Sequence, residues 1–79
     1  MNELPYKGYV IEALPEQLLT DSKWTVNISI TKHTGSRVTE KQFSSSETFT
    51  NKSDAVQQCY NFGKEIIDGN HKSHSVSDL

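Results

Sequence analysis

The sequence predicts an α+β domain, a three-stranded antiparallel sheet (β-β-β-α) packed on one C-terminal helix. Residues 51–68 carry an apolar stripe of helical period, residues 24–31 alternate strictly between apolar and polar side chains, and a glycine-containing turn joins the latter to a further extended stretch.

The first strand is placed over residues 6–14, Tyr-Lys-Gly-Tyr-Val-Ile-Glu-Ala-Leu. Tyr9, Ile11 and Ala13 share one face and Val10, Glu12 and Leu14 the other, which leaves open which set points inward. Pro15 ends the strand, because proline has no amide hydrogen and restricts the residue before it. Residues 16–22 then form a connection, with room for one short helical turn that would carry Leu18 and Leu19 back over the core.

The second strand is the clearest. Trp24, Val26, Ile28 and Ile30 alternate with Thr25, Asn27, Ser29 and Thr31, so one face is buried and the other is wet. Residues 32–36 supply a turn in which Gly35 can take a positive φ. Residues 37–49 return as the third strand, with Phe43 and Phe49 sharing a side only if the chain stays in phase across Ser44-Ser45-Ser46, where a bulge is expected.

The helix begins after Thr50. Asn51 is placed to cap free amides through its side-chain oxygen, with Asp54 as the acidic partner three residues on. Ala55, Cys59, Phe62 and Ile66 form the stripe, broadened by Val56, Tyr60, Gly63 and Ile67. Gly63 is expected to permit close packing, and Gly69 meets the left-handed requirement that ends many helices. Trp24, Phe43, Phe49 and Phe62 are the expected aromatic core, with Tyr6, Tyr9 and Tyr60 at its edge. The reading is one domain over residues 1–69 and a flexible, solvated tail over 70–79.

Composition narrows the function. A chain of 79 residues with net charge -2 buries a modest core, so a homodimer or an unidentified protein partner is an attractive source of added stability. Cys59 is the sole cysteine, no apolar run reaches bilayer length, and no secretory signal pattern opens the chain, so cytoplasmic residence is expected. His71 and His74 lack the further ligands that a structural metal site uses, and Cys59 lies in the packing stripe instead of beside a base. No pair of carboxylates is set off for acid–base work. The expectation is a non-enzymatic binding module with no catalytic, cofactor or metal residues.

Two surfaces compete for the binding role. The Val10 and Leu14 side of the first strand, with Tyr6 at its edge, suits protein contact, whereas Lys32 and Arg37, with Lys23 and Lys41, make the hairpin locally basic and suit weak nucleic-acid binding. The polar strand face offers no aromatic platform for bases, which makes nucleic acid the less favoured partner. The interaction residues are accordingly Tyr6, Val10, Leu14, Lys32 and Arg37.

The order of Tyr6-Lys7-Gly8-Tyr9, the strand from Trp24, and Phe49-Thr50-Asn51-Lys52-Ser53-Asp54-Ala55 leading to Phe62-Gly63-Lys64-Glu65-Ile66-Ile67-Asp68-Gly69 resembles small uncharacterised bacterial β-β-β-α domain proteins over residues 6–69. The same order superficially resembles the later part of a double-stranded-RNA-binding domain, which would imply RNA recognition. Here no first helix precedes the strands, and the final helix opens Asn51-Lys52-Ser53-Asp54 in place of a basic cluster. A likeness to small antitoxin domains would imply toxin binding, but no DNA-binding segment is attached.

Overall fold

The computed structural model describes residues 3–72 and 74–76. Positions 73 and 77–79 of the expected tail lie outside the described residues. Four strands precede one helix: β1 (Glu3–Tyr6), β2 (Tyr9–Ala13), β3 (Trp24–Thr34), β4 (Arg37–Phe49) and α1 (Lys52–Ile67). The strands form one antiparallel sheet in the order β1-β2-β3-β4.

This corrects the three-stranded β-β-β-α prediction, and with it the resemblance to domains of that topology. The cause lies at Lys7 and Gly8, whose φ angles are 50° and 85°. Positive φ at both central residues is the turn whose twist suits a two-residue hairpin, so the expected first strand folds back on a preceding one and Tyr6 pairs with Tyr9. Lysine rarely occupies the left-handed region, and the signal was therefore weak. Pro5 fits because β1 is an edge strand, where a missing amide donor is tolerated.

The second hairpin follows the prediction more closely. Thr34 pairs with Arg37 across Gly35 and Ser36, and Gly35 has a φ of 60°. Near the other end, Thr25 pairs with Thr48 and its neighbour Val26 with Ser45, so Ser46 and Glu47 are looped out of register. Because two residues are inserted, the side-chain phase is restored, and Phe49 comes to lie opposite Trp24.

Helix α1 covers one face of the sheet. Ala55, Cys59, Phe62, Gly63 and Ile66 point inward against Ile11, Ala13, Val26, Ile28, Ile30 and Phe43, all buried. Burial of each large aliphatic or phenyl group contributes roughly 1.5–3 kcal/mol. Trp24 and Phe49 are only half-buried, and Phe49 packs at the margin of the core, whereas Tyr6, Tyr9 and Tyr60 form the expected rim.

The two helix ends depart from each other. Asn51 has extended geometry but its side-chain oxygen makes no capping bond; its side-chain Nδ2 instead donates to Asp54 Oδ2 at 3.3 Å. At the other end Gly69 (φ 78°) donates its amide to the Ile66 carbonyl and Asn70 to that of Glu65, which satisfies the last-turn acceptors. Beyond that closure the chain turns back. The His71 and His74 rings lie edge-on to Phe62 at centroid distances of 5.3 and 5.8 Å, and Val76 packs on the core, in place of the solvated course expected for these residues.

Candidate interaction face

Antiparallel pairing fixes what the helix leaves uncovered. On the open face, Glu3 stands opposite Glu12, which neighbours Ser29 and then Gln42. The adjacent row is Pro5, Val10, Thr31 and Glu40. Successive side chains alternate between faces, so Lys32 and Lys41 belong to the helix side.

The centre of the face is Ser29, a buried polar residue 1% exposed. Its hydroxyl donates to Glu40 Oε2 at 2.5 Å, anchoring that carboxylate over the middle of the sheet. Three glutamates, Glu3, Glu12 and Glu40, thus occupy these two rows, and the rows contain no lysine or arginine.

Beyond them lies an apolar rim. The Leu14 amide donates to the Asn27 carbonyl at 2.8 Å, which places Leu14 beside Asn27 and hence near Ser44. A groove of about 500 Å³ opens here between Leu14, Pro15, Glu16, Asn27, Gln42 and Ser44. The chain continues as a narrow extension of β2 in which Gln17 bridges to Trp24 and the Leu18 amide donates to the Lys23 carbonyl at 2.7 Å. Ser22, with a φ of 60°, returns its amide to the Leu18 carbonyl. That tip replaces the helical turn expected to carry Leu18 and Leu19 inward, and it leaves Leu19 fully exposed, at 102% of its reference area.

The five residues expected to form one interaction surface are distributed over three places. Val10 and Leu14 lie on the open face. Tyr6 and Lys32 lie on the helix side: the Tyr6 hydroxyl donates to Asp68 Oδ2 at 2.8 Å, and the Lys32 ammonium sits 5.6 Å from the Tyr9 ring centroid. Arg37 is at the tip of the β3–β4 hairpin. Sequence reasoning missed Glu3 because its position opposite Glu12 exists only once the Lys7-Gly8 turn is recognised.

Other chemistry-bearing groups have structural surroundings. Cys59 is buried, its thiol donates to the Asn27 carbonyl at 3.4 Å, and burial pushes its ionisation upward, away from a reactive thiolate. Among the described residues, no group of three or more His, Cys, Asp or Glu is arranged to hold a metal ion, and no helix is long and apolar enough to cross a membrane. No protein-family model matches the chain, and no curated protein or solved structure is significantly similar to it.

Proposed function

We propose that this chain is a non-catalytic protein-interaction module whose open sheet face receives a partner segment carrying basic side chains, with the leucine rim as an apolar anchor. The observation that carries the reading is the direct opposition of Glu3 and Glu12, with Glu40 held nearby by Ser29. Like charges placed directly across a sheet destabilise it, so this register carries a cost that binding a cation-bearing partner would offset. Complementary charge raises encounter rates and excludes wrong partners, while the exposed Leu14, Leu18 and Leu19 supply contact area.

A second copy is a poor occupant of this face, because its glutamates would meet their own equivalents. Of the two expected alternatives, a homodimer or an unidentified protein partner, the partner we infer is therefore the second, a different chain. Nucleic acid is disfavoured on the same face for the same electrostatic reason. Cytoplasmic residence remains part of the proposal, supported by the single, buried Cys59.

Titration of the full chain with a lysine-rich, leucine-containing decapeptide, alongside the E12Q/E40Q variant, tests the reading. Wild type should bind with an affinity that falls as salt rises, and the variant should bind several-fold more weakly. Equal binding by the two proteins would contradict it.

A further inference from the structure

The groove at the leucine end of the open face is built by three strands. Leu14 stands beside Asn27, and Asn27 pairs with Ser44. One step further along, the Thr25 amide donates to the Glu16 carbonyl at 2.8 Å and the Glu16 amide donates to Thr25 Oγ1 at 3.1 Å, which holds Glu16 in the continuation of β2. Glu12, Leu14 and Glu16 therefore follow one another at two-residue spacing along one wall. Gln42 and Ser44 make the opposite wall, and Asn27 lies between the two.

The lining selects among occupants. Asn27 Nδ2 donates to Thr25 Oγ1 at 2.7 Å, and this bond leaves Oδ1 to accept from a ligand. Glu16 adds a carboxylate, and its diagonal position relative to Asn27 brings both acceptors within reach of one group. Leu14 and Pro15 keep the adjoining wall apolar. An anion would meet the Glu16 charge, and among the described residues no group of three or more His, Cys, Asp or Glu is arranged to hold a metal ion. The matching occupant has an apolar stem and many donors at its end. A guanidinium carries five N–H donors in a planar fork and is more weakly hydrated than an ammonium, so it gives up less on entering a groove with an apolar wall. Its methylene stem suits Leu14.

We propose that this groove is an arginine subsite, in which the guanidinium spans the Glu16 carboxylate and Asn27 Oδ1 while its stem packs on Leu14. The inference rests on the reading of the open face as the seat of a basic segment, and it narrows that segment from basic residues in general to one with an arginine at the leucine rim. Glu3, Glu12 and Glu40 attract either kind of cation, whereas the groove tells them apart.

The test is an NMR titration of the full chain and its E16Q variant with two leucine-containing decapeptides of equal charge, identical except that every lysine of one is arginine in the other. Wild type should bind the arginine peptide about tenfold more tightly, and that peptide alone should shift the side-chain amide signals of Asn27 and Gln42. Glu16 is exposed, so E16Q removes the charge without disturbing the core. In this variant the preference should fall below about twofold while the lysine peptide binds nearly as before. Equal wild-type affinity for the two peptides, with shifts at Glu3, Glu12 and Glu40, would overturn the arginine subsite and leave the open-face reading standing. A preference undiminished in E16Q would overturn it as well. Failure of both peptides to bind would overturn the two readings together.

Discussion

Gly63 faces Ile11 so closely that a Cβ added to the glycine would lie 2.7 Å from Ile11 Cγ2 and 2.8 Å from its Cδ1. Ile11 is completely buried. The helix therefore approaches β2 at a distance that only glycine allows. Gly63→Ala should gain about 1 kcal/mol of helix propensity and lose more to overpacking, for a net loss of about 1–2 kcal/mol. Urea unfolding checks this, and adding Ile11→Val, which removes Cδ1, should recover part of the loss.

Asn51 occupies the cap position without performing the capping bond. Its replacement by alanine should change stability by less than about 0.5 kcal/mol, where loss of a working cap typically costs about 1 kcal/mol. Thermal unfolding of Asn51→Ala at neutral pH distinguishes these outcomes.

Asp68 ties the end of the helix to the first hairpin. Tyr6 donates to both its carboxylate oxygens, and the Lys7 ammonium lies 2.6 Å from Oδ1. The hydrogen bonds from Lys7 and Tyr6 hold the Asp68 carboxyl below its ordinary 3.8, whereas the bond to Asp68 holds Tyr6 above 10.0 and Lys7 above 10.5. The depressed carboxyl contributes stability that is present above its unfolded value and lost as pH falls through the folded one. The raised phenol and ammonium contribute stability that is present below their unfolded values and lost as pH rises through the folded ones. Asp68→Asn should consequently lower the melting temperature on the plateau between these limits, and the difference from wild type should shrink at pH 3 and again above pH 11.

Cys59 should resist modification in the folded protein. Its thiol is buried and its ionisation is raised chiefly by desolvation, so alkylation requires opening of the helix–sheet seam. With an unfolding free energy of about 5 kcal/mol, iodoacetamide should react roughly 10³–10⁴-fold more slowly with native than with urea-unfolded protein. Mass spectrometry over time measures the two rates.

Glu12 gives the open face a stability signature of its own. Replacing it with lysine converts the repulsion from Glu3 into attraction, and should stabilise the fold by about 0.2–1 kcal/mol. Denaturant unfolding of Glu12→Lys provides the check.

The helix was legible because its stripe repeats without interruption: Ala55, Cys59, Phe62, Gly63 and Ile66 are the buried positions, and the Gly69 closure is local chemistry. The strand from Trp24 was legible by strict alternation, although it runs on to Thr34 through residues whose polarity disguised it as a turn. The additional strand was not, since Glu3–Tyr6 has only four residues, contains proline and is joined through a lysine at positive φ. That one hidden turn also concealed the candidate site. Facing partners such as Glu3 and Glu12 are a property of register, and the basic hairpin read as one patch because linear spacing does not reveal that Lys32 and Lys41 lie behind the open face.

The most direct test is a chemical-shift map of the full chain with the lysine-rich peptide and, separately, with a double-stranded RNA oligonucleotide. The open-face account predicts peptide-induced shifts at Glu3, Glu12, Ser29, Thr31 and Glu40, extending to Leu14 and Leu19, and none with RNA. Shifts induced by RNA at Lys32, Arg37 and Lys41, with the open face silent toward peptide, would contradict it.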